Sequence, residues 1–183
     1  MKTVLLFRHG QTPWNAQRRY IGSTDQSLSP EGRAALAGRA APPVDRLYVS
    51  PLRRCRETAE LLYPGMVQQV VEDLRECGFG SFEGHTYKEL KDDPAYRQWL
   101  DSAGEIPPPG GEGKAESRER SLRAFLSLVD DPGSAALVIH GGTIMTLMEA
   151  LEDSREFYRW QVGNGEGLRC QWDGTRLIYL GRV

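Results

Sequence analysis

A chain of 183 residues with 23 basic and 25 acidic side chains, formal net charge −2, has no overall field to draw nucleic acid or an acidic membrane surface. At 39% hydrophobic and 26% charged it is neither disordered nor collagen-like, and one soluble domain over 1–183 is expected. No apolar run approaches the roughly 20 residues of a transmembrane helix, and the N-terminal apolar stretch is too short for a signal peptide; the three cysteines, Cys55, Cys77 and Cys170, lack metal-ligand spacing, so reduced thiols in a cytoplasmic setting are expected.

In chain order, Val4–Phe7 is a short continuous apolar run that suits a buried strand. Ser29-Pro30 opens a helix, with Ser as N-cap and Pro in the first turn, running to about Ala41 before Pro42-Pro43. Leu47–Val49 is a second strand, and Ser50-Pro51 repeats the helix-start chemistry for a helix reaching about Tyr63. Val67–Val71 is a third strand. The stretch from Arg75 to Gly113 is irregular, with a short helix around Tyr87–Leu100, and is expected to be a lid-like insertion of about 76–114. A helix over 115–129, a strand at Ala135–Ile139, a helix at Thr143–Leu151 and a closing hairpin of Leu168–Trp172 with Arg176–Leu180 complete the chain. Strands alternating with helices predict an α/β three-layer sandwich, its central sheet mostly parallel with an antiparallel edge strand. The hairpin edge is compatible with a monomer or a homodimer.

Two of the three histidines share a context. Leu6-Phe7-Arg8-His9-Gly10-Gln11-Thr12 and Val138-Ile139-His140-Gly141-Gly142-Thr143 are each an apolar strand ending in His-Gly-x-Thr. Ligands of α/β sheets bind outside the carboxyl ends of the strands, so both imidazoles are expected in one crevice. His85 is read as a solvated or capping residue of its turn. Arg8 beside His9 offers a planar donor fork suited to phosphate. A neutral imidazole is a competent nucleophile toward phosphorus, a protonated second imidazole would stabilise the equatorial oxygens, and a carboxylic acid would protonate the leaving oxygen.

Arg8-His9-Gly10-Gln11-Thr12-Pro13-Trp14-Asn15 resembles the R-H-G-[EQ]-T-x-W-N signature of the histidine phosphatase, or phosphoglycerate-mutase-like, superfamily. Four further segments follow in the family's order: Leu28–Gly32, Ser50–Ala59, Leu74–Gly84 and Val138–Gly142. The resemblance covers about residues 3–152. It implies the phosphoglycerate-mutase-like fold and a phosphomonoester substrate. It makes His9 the phosphorylated nucleophile, Arg8 and Arg54 the clamp, Asn15 a hydrogen-bond donor, His140 the completion of the pocket and Glu76 the proton donor and acceptor. Thr12, Gly22 and Gly141 would bind substrate, with no cofactor and no metal. Among the clustered arginines, Arg53 can pair with Glu57 and Arg56 with Glu60 at i,i+4; this favours Arg54 as the free one without settling it, and the family motif makes the choice. Glu76 has rivals in Glu72, Asp73 and Glu83, but its turn is lined with apolar residues that would raise its pKa.

Ile21 stands where many relatives carry a small or polar side chain, which points to a less polar substrate. The aromatics Phe79, Phe82, Tyr87, Tyr96 and Trp99 read either as lid packing or as a pocket for a flat leaving group. Within the superfamily, Cys77–Gly84 and the Ile106–Gly113 segment look most like α-ribazole phosphatases of cobalamin assembly, with a broad-specificity phosphatase or a phosphoglycerate mutase as alternatives. Short length and few basic anchors in the lid favour hydrolysis over re-transfer. Cys170 and Arg176 fit the C-x₅-R shape of cysteine-dependent phosphatases, but Asp173-Gly174 between them reads as a hairpin turn rather than a phosphate loop.

Overall fold

The computed structural model describes residues 1–152 and 156–183. Six strands form one sheet: β1 (Lys2–Arg8), β2 (Arg46–Val49), β3 (Gln68–Val70), β4 (Ala135–Ile139), β5 (Gly167–Trp172) and β6 (Leu177–Arg182), in the order β3-β2-β4-β1-β5-β6. The first four run parallel, while β5 is antiparallel to β1 and β6 to β5, so the antiparallel edge is two strands deep.

Alternation along β1 explains the layers. Val4 and Leu6 join Phe125, Ile144, Leu147 and Met148 on one face; Leu5 and Phe7 join Leu36, Cys55, Ala59 and Leu62 on the other. Successive strand residues point to opposite faces, so an unbroken apolar run needs cover on both sides. Helices α6 (Lys114–Val129) and α7 (Gly141–Leu151) supply it on one face, and α2 (Pro30–Leu36) and α3 (Arg53–Leu62) on the other. Among the described residues, no helix is long and apolar enough to cross a membrane.

Three boundaries differ from expectation. Helix α2 stops at Leu36 rather than near Ala41, because Gly38 turns left-handed at φ 74° and the Arg39 N–H closes back on the Leu36 carbonyl. Helix α3 does not start at Ser50: Leu52 is its N-cap, and the Arg53 N–H is taken by the Asp25 carboxylate at 2.7 Å. The single helix expected around Tyr87–Leu100 is two, α4 (Tyr87–Leu90) and α5 (Pro94–Asp101). Asp93 separates them by capping the second, accepting from Ala95 N (2.7 Å) and Tyr96 N (3.2 Å). A four-residue helix, α1 (Pro13–Ala16), escaped the sequence reading; it is closed by a capping box between Thr12 and Asn15.

The 76–114 segment, expected to be lid-like, carries its own small core. Phe82, Leu90 and Tyr96 are buried against Tyr20, Phe79 and Trp99, with Phe82 and Tyr96 ring centroids 5.2 Å apart and the Tyr20 and Tyr96 hydroxyls 2.6 Å apart. The aromatics thus pack on one another, Tyr87 from an exposed position with its ring centroid 6.2 Å from that of Tyr96. Backbone bonds between Tyr20 and the 84–85 turn tie the lid to the N-terminal segment.

Candidate active site

β1 and β4 are neighbours, with Phe7 opposite Val138 and Arg8 opposite Ile139. The next residues, His9 and His140, therefore emerge side by side, their ring centroids 5.3 Å apart although 131 positions separate them in the chain. The His9 N–H donates to the Ile139 carbonyl at 3.0 Å and locks that juxtaposition. Both imidazoles are buried.

His9 Nδ1 lies 2.7 Å from the Gly10 carbonyl oxygen. A carbonyl only accepts, so Nδ1 carries the proton and Nε2 keeps its lone pair. Burial, then the Arg54 charge, holds His9 well below the ordinary histidine value; the Gly10 bond opposes this and Arg8 adds to it. His140 Nε2 is 2.7 Å from Ser50 Oγ, and Cys55 Sγ lies 3.5 Å from the same nitrogen. Burial first, then Arg54, His9 and Arg8, push its pKa well down too. Burial first, and then the two adjacent guanidinium groups, favour the neutral form of both rings in the protein without ligand.

Arg54 is fully buried. Its Nη1 donates to the Thr24 carbonyl (2.8 Å) and Nη2 to the Gly22 carbonyl (2.7 Å). Arg8 Nη1 donates to the Val162 carbonyl at 2.9 Å. The Nε–H groups of both arginines are buried without a hydrogen-bond partner, among only four such side-chain atoms in the described residues. Buried donors are ordinarily satisfied, so two unsatisfied guanidinium donors beside neutral histidines make a candidate anion site. Arg54 enters by a route the sequence did not show: Glu57 pairs with Arg33 (2.7 Å) and accepts from Leu28 N (2.9 Å) rather than bonding Arg53, while Arg53 and Arg56 are exposed.

Glu76 is buried, and burial raises its pKa against the opposing pull of the Cys77 amide, Arg54, the Gly142 amide and Arg8. Its Oε1 accepts from Cys77 N (3.0 Å) and its Oε2 from Gly142 N at the start of α7 (3.2 Å). A Cβ at Gly142 would stand 2.7 Å from Oε1, so any larger residue there would push the carboxylate from this position. The rivals are engaged elsewhere. Glu83 accepts from Ser23 N, Ser23 Oγ, Thr24 N, Thr24 Oγ1 and Phe79 N; burial pushes it up, but those bonds win and hold it low. Asp73 faces Arg75 and Arg123, and Glu72 is exposed.

The remaining expected positions divide. Asn15 Oδ1 accepts from Thr12 N (3.1 Å) and Asn164 Nδ2 (3.2 Å), which leaves its amide donors for another acceptor. Thr12 is buried as the cap of α1 rather than presented as a surface, and the Gly22 carbonyl accepts from Arg54. Gly141 lies under Arg8, where a Cβ would sit 3.3 Å from Nε. His85 is exposed in its turn. The Cys170 alternative fails: its thiol is buried in the core, where burial pushes its pKa up to about 12, and Arg176 lies in an exposed turn.

Sequence reasoning missed several supports. The Gly10 N–H donates to Thr58 Oγ1 (2.8 Å), whose hydroxyl donates to the Arg54 carbonyl (2.6 Å). Asn164 Nδ2 bonds Asn15 and the His9 carbonyl (3.2 Å). Ser50 serves His140 instead of a helix. Thr58 and Ser50 lie inside a recognisable motif; Asn164 carried no local signal.

The chain belongs to the histidine phosphatase superfamily (branch 1), whose family model matches residues 4–180. It is an enzyme of that phosphatase and mutase family. A Hydrogenobacter thermophilus protein provisionally named phosphoserine phosphatase 2 is 32% identical over 198 aligned positions, covering 100% of this chain and 97% of its own. The crystal structure of a phosphoglycerate mutase from Thermus thermophilus superposes with a TM-score of 0.78 at 34% identity, covering 99% of this chain and 98% of that one. An Escherichia coli structure provisionally assigned as an α-ribazole-5′-P phosphatase shares the fold, with a TM-score of 0.82 at 21% identity over 98% of this chain and 95% of its own.

The two neutral imidazoles have a measurable consequence for stability. Below the ordinary histidine value of 6.5, the unfolded chain takes up protons that folded His9 and His140 refuse. Folding stability therefore falls as pH falls, by up to about 1.4 kcal/mol per pH unit for each ring. Glu76 acts in the opposite sense: above 4.5 the unfolded carboxyl ionises first, so its contribution declines as pH rises toward its raised value. Urea unfolding between about pH 7 and pH 5.5 should show the histidine slope dominating, reduced in His140→Gln. A flat profile would refute the neutral pair.

Proposed function

We propose that this chain hydrolyses small phosphomonoesters through a phosphohistidine on His9. The observation that carries this reading is the neutral His9, its Nε2 lone pair free, set among Arg8, Arg54 and His140 with a buried carboxyl opposite. Arg8, Arg54 and the Asn15 amide hold the phosphoryl oxygens. His9 Nε2 attacks phosphorus; the bond to the ester oxygen breaks, its electron pair goes to that oxygen, and the Glu76 carboxyl delivers the proton. Water then attacks the phosphohistidine, Glu76 takes its proton, and the P–N electron pair returns to Nε2. A dianion entering the site raises the proton affinity of His140, which can then donate to an equatorial oxygen.

Hydrolysis rather than mutase transfer is favoured by the small number of lid cations and the pairing of three of them. Arg97 pairs with Asp92 (3.0 Å) and donates to the Lys91 carbonyl, Arg75 pairs with Asp73, Arg120 is held by Glu112, and Lys88 and Lys91 are exposed. Only the buried Arg120 is firmly committed elsewhere, and the lid as a whole offers few cations to a substrate carboxylate.

For the substrate we propose α-ribazole 5′-phosphate, on the likeness of the 77–84 and 106–113 segments to that subfamily and on the apolar Ile21. The packing of the lid aromatics against one another withdraws the flat-pocket argument, so the substrate panel must decide. Phosphate release in EDTA is to be compared for α-ribazole 5′-phosphate, phosphoserine, 3-phosphoglycerate and p-nitrophenyl phosphate. A preference of about a hundredfold in kcat/KM for the first, roughly 2.7 kcal/mol of transition-state discrimination, is the expected result. Turnover of all four within a few-fold would make the chain a generalist, and no turnover without added metal would overturn the phosphohistidine route.

A further inference from the structure

We infer that Arg120, through its pairing with Glu112, is a positioning residue for the Glu76 carboxyl; the inference rests on the phosphohistidine reading above. Arg120 lies midway along α6 and is only 5% exposed. Its Nη1 donates to the carbonyls of Asp73 (2.7 Å) and Arg75 (2.9 Å), on the approach to Glu76. Its Nε and Nη2 donate to the two carboxylate oxygens of Glu112, at 2.8 and 2.6 Å, a bidentate fork. The Glu112 backbone holds the other side: its N–H donates to the Gly78 carbonyl (2.8 Å), and its carbonyl accepts from Cys77 Sγ (3.4 Å).

One buried ion pair therefore grips the chain on both sides of Glu76 without itself bonding Glu76, the histidines, or the guanidinium groups of Arg8 and Arg54. A junction between a helix and a lid needs no buried ions: apolar side chains of similar volume often serve as well or better. What an arginine fork does, and apolar packing does not, is fix two backbone carbonyls and a carboxylate in one plane. The only regular structure in the turn 73–78 is a short 3₁₀ stretch at its start, Glu72–Leu74, and the Glu76 carboxylate itself is held by the Cys77 and Gly142 amides. Arg120 and Glu112 fix the turn's backbone on either side of Glu76, and an acid displaced by about 1 Å loses much of its effect.

The test separates this role from general stabilisation by leaving group. A p-nitrophenolate departs without a proton, whereas the alkoxide of glycerol phosphate needs one. The kcat/KM values for both esters, which cover steps through phosphoryl transfer, are to be measured for the native protein, Glu76→Gln, Arg120→Met and Glu112→Gln. Glu76→Gln should lose about a hundredfold or more on glycerol phosphate and less than about tenfold on p-nitrophenyl phosphate. Arg120→Met and Glu112→Gln should reproduce that selectivity, losing at least about tenfold on the alkyl ester only. Equal losses on both esters, or none, with a selective Glu76→Gln would overturn the positioning role. A non-selective Glu76→Gln would instead overturn the acid assignment, and the inference with it. Where Arg120→Met does not fold, the paired replacement Arg120→Met with Glu112→Leu, which leaves no unmatched buried charge, carries the same comparison.

Discussion

Replacing His9 with alanine is expected to lower kcat by about 10⁴-fold or more, the scale on which removal of a covalent nucleophile acts. His140 cannot take over. Its Nε2 is occupied by Ser50 at 2.7 Å, and the ring packs edge-on to His9 rather than standing in its place. Labelled substrate quenched during turnover should leave an acid-labile, base-stable phosphate on the native protein and none on His9→Ala. Inorganic phosphate should still bind the variant, because Arg8 and Arg54 are untouched. Activity within tenfold of native, or an undiminished label, would show that the nucleophile is another group.

The second large effect is expected at Arg54. Lysine keeps the charge but has one ammonium for three tasks: the Gly22 carbonyl, the Thr24 carbonyl and the phosphoryl oxygen that the unpartnered Nε–H is left to meet. Arg54→Lys should reduce kcat/KM by about 10³-fold, in the range seen when one transition-state donor of an anion site is removed. It should also lower stability by about 2 kcal/mol, since the Gly22 or the Thr24 carbonyl loses a charged donor. Arg53→Lys, at the neighbouring but exposed position, should change neither quantity appreciably. If the two variants behaved alike, the clamp would have to be assigned elsewhere.

The choice between Arg53 and Arg54 shows how far local reasoning reaches. Pairing at i,i+4 pointed to Arg54, yet the Arg53 pair invoked does not form, because Glu57 turns to Arg33 on α2 and to the Leu28 amide just before it. Arg54 is the buried one of the three clustered arginines, but the local pairing that favoured it is not what buries it. Helix starts show the same limit. Ser29-Pro30 caps α2 as its spelling implies, with the Gly32 N–H donating to Ser29 Oγ at 3.0 Å, while the identical dipeptide Ser50-Pro51 caps nothing. Ser50 sits at the carboxyl end of β2, where its hydroxyl meets a histidine from β4, and the start of α3 is capped by Asp25 from a loop nearly thirty residues earlier.

What the sequence determined by itself was whatever neighbours in the chain decide. The apolar runs 4–7, 47–49 and 135–139 had to become buried strands, glycines and prolines set most of the turns, and two strands ending in Arg8-His9-Gly10 and His140-Gly141-Gly142 had to present their histidines at one end of a parallel sheet. The tertiary structure alone decided the electrostatics. Glu76 and Glu83 are both carboxylates in one irregular segment. One is buried with two amide donors and is raised; the other collects five donors and is lowered. Likewise both histidines are neutral because burial and two guanidinium groups converge on them, and Arg120 reaches the acid-bearing turn from a helix more than forty residues later in the chain. A pKa is set by solvent exclusion and by charges within a few ångströms. Those neighbours come from segments the chain keeps far apart, so no periodicity or local spacing records them.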